Sequence, residues 1–310
     1  MLVIVLALFL ILLISLAAAM LVTDHLMTER VVARYKQQVT ADVLYRAVDG
    51  AELAYRRHGQ DGLPLLMIHG FMGSSYDYAS IFPTLAEHYQ VIAVDLIGFG
   101  LSDKSPDLDY SKANMARLCG LLMDDLGFSR YAVLGHSMGG EVAINLALLH
   151  PQKTEQLILL NSAGLTDIQR GFSQRLPAWL IDGVFQNYVL QRLYFPTVFF
   201  DRQKAGTDVF QSFYYFNNLI PAETLQKLIQ DNDSGSLKNQ LADISQPVLL
   251  IWGAHDRTIP LEQGQAMDQL LPDSSLMVFE DCGHLTFLEK PTETCAALLQ
   301  FLADTATDRH

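Results

Sequence analysis

Gly135-His136-Ser137-Met138-Gly139 is the stretch of this chain best suited to covalent chemistry. A serine hydroxyl is a weak nucleophile until a positioned base takes its proton. Glycines two residues to either side are what a sharp turn around such a serine needs, because side chains there would meet the neighbouring strand and helix. Gly140 relieves the crowding further. Tyr131 to Leu134 precedes the turn as a short apolar run, the pattern of a buried strand, and Met138 to Leu149 follows as a helix-length run that stops before Pro151. The spacing sets Ser137 beside a helix N-terminus, where unpaired backbone N–H groups favour a developing negative charge.

The elements that would have to position this turn are legible as an alternation. Ala41 to Val48 and Ala51 to His58 flank Asp49-Gly50, a strong two-residue hairpin signal. Apolar runs then follow at Leu65 to Ile68, Val91 to Val94, Tyr131 to Leu134, Leu157 to Leu160, Val248 to Ile251 and Leu276 to Phe279. Between them stand helical patterns at Ser75 to His88, Ser111 to Leu126, Met138 to Leu149, Leu261 to Leu271 and Thr292 to Leu302. Continuous apolar strands alternating with helices predict an α/β fold whose mostly parallel sheet is covered on both faces.

Further motifs fall at the ends of these strands: Ile68-His69-Gly70-Phe71, Asp95-Leu96-Ile97-Gly98-Phe99-Gly100-Leu101-Ser102, Trp252-Gly253-Ala254-His255-Asp256 and Gly283-His284. With the serine turn, in this order, they resemble the α/β-hydrolase family, from about Val43 to Leu302. The resemblance implies a Ser137–His284–Asp256 triad. His284 would be the base, selected from nine histidines, and Asp256 the carboxylate that holds its tautomer, with Asp167 in reserve. It also implies an oxyanion hole built from the backbone N–H groups of Phe71 and Met138, whose side chains would then be free to line an apolar pocket. His69 is expected to support its loop by hydrogen bonding, and Asp95 and Asp281 to be polar residues ending strands. His136 is too close to Ser137 to reach back to its hydroxyl and reads as a packing residue of the turn. With Phe199 and Phe213 it is also a candidate substrate contact. No histidine pair has metal-ligand spacing, and neither metal nor cofactor is implied.

Length and composition fit this reading. The 310 residues are 50% hydrophobic, enough for one large core with an inserted subdomain. Lys and Arg number 21 against 34 Asp and Glu, a net charge of -13, which leaves no electrostatic footprint for nucleic acid. Cys119, Cys282 and Cys295 form neither a disulfide framework nor a metal set and are expected as ordinary thiols. The insertion lies between Ser162 and Gln246, with a helical cap over about 165–240, and 13 of the chain's 30 aromatic residues fall between Phe172 and Phe216. A small cap has little core, so some of these rings should face an apolar cavity over the serine.

Met1 to Val22 carries no charge, and as a helix would span about 33 Å. A single-pass membrane anchor is the expectation. A cleaved signal peptide is the rival, helped by Ala17-Ala18-Ala19 but opposed by the missing basic residue before the run, and a buried core helix is a third option. Arg30, Arg34 and Lys36 follow the run, which would set residues 41–304, the hydrolase domain, on the cytoplasmic side. Residues 23–40 read as a juxtamembrane helix or linker. A serine at the turn is unlike the aspartate that dehalogenases and epoxide hydrolases of this family use. The resemblance therefore points to esterase or monoacylglycerol-lipase members acting on a small or lipid-like ester. A carbon–carbon hydrolase of the aromatic meta-cleavage type, or a ligand receptor on the same fold, are the alternatives. Oligomeric state is left open.

Overall fold

The computed structural model describes residues 2–165, 177–231 and 236–307. Helix α1, Leu2–Thr40, leads into the hairpin β1 (Leu44–Val48) and β2 (Ala51–His58), turned at Asp49 and Gly50, both at positive φ. There follow β3 (Pro64–Ile68), α2 (Phe82–Ala86), β4 (Gln90–Val94), α3 (Lys112–Asp125), β5 (Tyr131–His136), α4 (Met138–Leu149) and β6 (Thr154–Leu160). The cap helices are α5 (Ala178–Phe185), α6 (Tyr188–Tyr194), α7 (Thr207–Asn217) and α8 (Ala222–Asp231). The chain then returns through β7 (Val248–Gly253), α9 (Leu261–Leu270), β8 (Ser274–Phe279), α10 (Thr286–Glu289) and α11 (Pro291–Thr307).

All eight strands form one sheet in the order β1-β2-β4-β3-β5-β6-β7-β8, parallel from β4 onward and antiparallel at the β1–β2 and β2–β4 edges. Period-two alternation splits each central strand between two cores. Leu66, Ile68, Ile92, Val133, Leu157 and Leu250 pack with α3 and α4, whereas Leu65, Met67, Val91, Leu134, Ile158 and Ile251 pack with α2 and α11. These side chains are almost fully buried, each contributing about 1.5–3 kcal/mol of transfer free energy. The expected helix over Ser75 to His88 is two pieces, a 3₁₀ turn at Ser75–Tyr78 and α2. Pro83 is the cause. It has no N–H for Ala79 and its ring crowds that carbonyl, so an α-helix begins at Phe82 instead of running through.

Of the two readings of residues 23–40, helix or linker, the structure has a helix: Leu2–Thr40 is one continuous helix of 39 residues. Val31, Tyr35 and Val39 are buried in a third apolar cluster with Tyr188, Phe210, Tyr214, Tyr215 and Phe216 of the cap. Polar contacts reinforce it. Asp24 Oδ1 accepts from the Tyr188 amide at 2.5 Å, and Thr28 Oγ1 and Tyr214 Oη are hydrogen-bonded at 2.5 Å. Buried Arg56 of β2 donates to the Val39 carbonyl and to Asp42. Among the described residues no helix is long and apolar enough to cross a membrane, so the expected span is not found there. The side chains of 1–14, 16 and 17, on which that expectation chiefly rests, lie outside the described residues.

Candidate active site

The turn between β5 and α4 presents Ser137 with φ 53° and ψ −123°, a conformation that L-residues rarely adopt. Its backbone is fully engaged: Ser137 N donates to the Leu160 carbonyl at 3.0 Å, and its own carbonyl accepts from Gly140 and Ala163 at 2.9 Å each. The flanking glycines are required by space. A Cβ on Gly139 would collide with the carbonyl oxygens of Ile68 and His69, and one on Gly135 with the carbonyl of Gly139. β3, β5 and α4 therefore approach each other at backbone distance, which a strained serine needs if it is to be held in place.

His284 and Asp256 arrive from the ends of β8 and β7. His284 Nδ1 lies 2.7 Å from Asp256 Oδ2. Asp256 Oδ1 accepts from the amides of Thr258 at 2.7 Å and Ile259 at 3.0 Å, and Oδ2 also accepts from Asn161 Nδ2 at 2.7 Å. With that many donors the carboxylate is satisfied as an anion. Its remaining hydrogen bond then requires a proton on His284 Nδ1, which leaves Nε2 as the basic nitrogen. Both residues are buried, yet His284 reaches the cavity that Ser137 also lines.

That cavity has a volume of about 550 Å³. Phe71 and Met72 of the loop after β3 form one side, Val184, Leu190, Phe195 and Phe213 of the cap the other, and Leu285 the floor beside His284. Phe71 lines it as expected, but Met138 does not. The Met138 side chain is buried in the core facing α3, while its amide opens α4 among the N–H groups that have no intrahelical acceptor. Phe213 and His136 line the cavity, and Phe199 does not. Phe199 is buried 5.2 Å from the Phe195 ring, because the cap segment that carries it is tied down on the His284 loop. Asp167, the reserve carboxylate, lies outside the described residues. Asp95 is structural, accepting from the amides of Ser75 and Leu101 and, through its carbonyl, from Ser102 Oγ.

Two other histidines, His69 and His136, are buried supports. His69 Nε2 accepts from the Leu96 amide at 3.0 Å, so its Nδ1–H donates to the Gly70 carbonyl at 2.7 Å and fixes the loop that carries Phe71. His136 Nε2 donates to the His284 carbonyl at 3.0 Å. Burial and the neighbouring His284 ring hold the His136 pKa well below that of an ordinary imidazole. It packs in the turn and also meets the cavity.

Two contributors are silent in the sequence. Asn161, at the end of β6 with φ 45°, braces Asp256. Glu289, 1% exposed, accepts from Gly283 N at 2.7 Å through one oxygen, and from Phe200 N at 2.9 Å and Asp201 N at 3.1 Å through the other. With the His284 amide donating to the Val198 carbonyl at 2.8 Å, this carboxylate staples the histidine loop to the cap. Burial pushes its pKa up against the pull of the three amides. Five residues after His284, it could have been suspected from its position in a helical turn, but nothing local shows its partners. The three cysteines are free and buried, with Cys119 pushed up to about 12 by burial. Among the described residues no cluster could hold a metal ion.

Residues 64–291 match the family model described as alpha/beta hydrolase fold. A lipase of Psychrobacter immobilis is 30% identical over 260 residues, covering 79% of this chain and 78% of that protein. A 2-hydroxy-6-oxononadienedioate/2-hydroxy-6-oxononatrienedioate hydrolase of Paraburkholderia xenovorans is 28% identical over 297 residues, 89% of this chain and 100% of that protein. Among solved structures, a membrane phospholipase A described as a bacterial virulence factor superposes with a TM-score of 0.75 at 25% identity, covering 96% of this chain and 98% of that one. The chain belongs to the alpha/beta hydrolase fold family and is a hydrolase.

Proposed function

We propose that the protein hydrolyses carboxylic esters of apolar acyl groups through Ser137, His284 and Asp256. The observation that carries this reading is the His284–Asp256 pair at 2.7 Å opening, together with the strained Ser137, onto one apolar cavity of about 550 Å³. His284 Nε2 takes the Ser137 proton as Oγ bonds to the ester carbonyl carbon. The oxyanion rests on the amides of Phe71 and Met138. Collapse breaks the bond to the alcohol oxygen, which leaves with the proton held by His284. Water, deprotonated by the same nitrogen, then attacks the acyl-enzyme and releases the acid. The apolar lining suits an acyl chain. No cofactor enters these steps.

A membrane setting is part of the proposal. The uncharged run Met1 to Val22 is continuous with a helix that docks on the cap, and a solved structure that overlaps 96% of the chain is called a membrane phospholipase A. A carbon–carbon hydrolase is the second reading, favoured by the full-length similarity to a dienedioate hydrolase. A series of p-nitrophenyl esters from short to long acyl, run with Ser137→Ala as control and a vinylogous diketone alongside, separates the two. Serine-dependent ester turnover peaking at medium chains supports the first. Diketone cleavage with no ester turnover supports the second.

A further inference from the structure

The cap contributes a pair of side-chain amides to the wall of the cavity at Ser137. Asn217, the last residue of α7, and Gln191 of α6 both line it. Their hydrogen bonds run in one direction only. Gln191 Nε2 donates to the Phe185 carbonyl at 2.5 Å, and Gln191 Oε1 accepts from Asn217 Nδ2 at 3.2 Å. A backbone carbonyl can only accept, so neither amide can be turned around without setting oxygen against oxygen. Asn217 Oδ1 is thereby left over. Of the buried side-chain polar atoms that have no hydrogen-bond partner among the described residues, it is the one belonging to a residue that lines this cavity. Asp77, the buried carboxyl of the same lining, is engaged by the Ser74 amide and hydroxyl.

Buried acceptors are normally paired, and one left unpaired carries the full cost of its lost water. In a substrate cavity a ligand that brings a donor offsets that cost. Asn217 is 5% exposed, whereas Val184 and Tyr194, which line the cavity too, are 47% and 63% exposed and mark its mouth. The acceptor therefore stands away from the mouth, with the acyl chain that stays on Ser137 and not with the alcohol that must leave. Ser137 and Asn217 line one and the same cavity. The donor that suits this oxygen is neutral. An ammonium would give up its water for one uncharged oxygen, and a carboxylate or ketone would meet Oδ1 acceptor to acceptor.

Resting on the ester-hydrolase reading, we propose that Asn217 Oδ1 is a hydroxyl-binding site for the acyl chain and that the preferred substrates are esters of hydroxy acids. Gln191 is its positioning residue, fixing the Asn217 amide so that an oxygen and not an N–H is open to the ligand.

The test uses the full chain in detergent, methyl octanoate, its racemic forms with a hydroxyl on the third, sixth or seventh carbon, and the corresponding ketones, with Ser137→Ala as control. At least one hydroxy ester should show a kcat/KM about tenfold above that of methyl octanoate, the scale of one hydrogen bond, and the ketone of the same carbon should fall below methyl octanoate. Asn217→Leu, close in shape but without an acceptor, should cut that ratio of hydroxy to plain ester about tenfold. Gln191→Leu lets the Asn217 amide turn and donate, so the ratio of ketone to plain ester should rise about tenfold. A loss of packing alone would not exchange one preference for the other. No hydroxy ester preferred to methyl octanoate, or a preference unchanged in Asn217→Leu, with serine-dependent turnover of methyl octanoate present, would overturn the hydroxyl site while sparing the ester reading. No serine-dependent turnover of any of these esters would overturn both.

Discussion

At Ser137 the chain stores strain where the chemistry is proposed. A φ of 53° with ψ of −123° costs a non-glycine residue about 1–3 kcal/mol, and the price is met by the packing of β3, β5 and α4 around it. Ser137→Gly should therefore remove turnover while raising the unfolding free energy by about 1 kcal/mol, measured by denaturant titration. Asp256→Asn should leave the fold intact and lower kcat on the order of 10⁴-fold, since an amide facing His284 Nδ1 selects the wrong tautomer. Asp77 gives the pH dependence. Burial raises its folded pKa well above the ordinary carboxyl range, so the stability it contributes is fully present below the unfolded pKa and is lost as pH rises through the folded pKa. Asp77→Asn can keep its bonds to Ser74, so it should be more stable than the parent at neutral pH and show a flatter profile, read from urea midpoints across acidic and neutral buffers. Ser137, His284 and Asp256 were legible because each sits in a short motif at a strand end. Asn161 and Glu289 were not, because Asn161 braces Asp256 95 positions away and Glu289 holds Phe200 89 positions away, partners that only the fold brings near.

Among the elements, α1 departs most from what its sequence suggests. The central strands announce themselves by apolar runs, since they bury both faces. The stretch from Thr23 to Thr40 is polar and mixed, and its three buried side chains, Val31, Tyr35 and Val39, fall at i, i+4, i+8 among charges. That stripe is too narrow to dominate a composition, yet it holds α7 in place over the site. Tyr35→Ala should cost about 3 kcal/mol of stability if the cluster is as well packed as its burial indicates, read as a loss in the urea midpoint. The cap was legible as aromatic-rich but not in detail. Phe199 and Phe213 look alike in sequence, and only the staple from Glu289 to Phe200 decides that one goes to the core and the other to the cavity.

For the whole molecule, the continuous helix joins the run at Met1 to Val22 to the cap over the candidate active site. The net charge of -13 disfavours anionic surfaces, which leaves the apolar run to carry any membrane association. In flotation with neutral phosphatidylcholine vesicles the full chain should rise with the lipid and the chain lacking residues 1–22 should stay below. Equal behaviour of the two would remove the anchor from the account. The central claim is the nucleophile itself, and covalent labelling tests it most directly. Treatment with an alkyl fluorophosphonate should add one phosphonyl group per chain, mapped by peptide mass to Ser137, with activity lost in proportion and no label on Ser137→Ala. Full activity after complete labelling, or ester turnover surviving in Ser137→Ala, would contradict it.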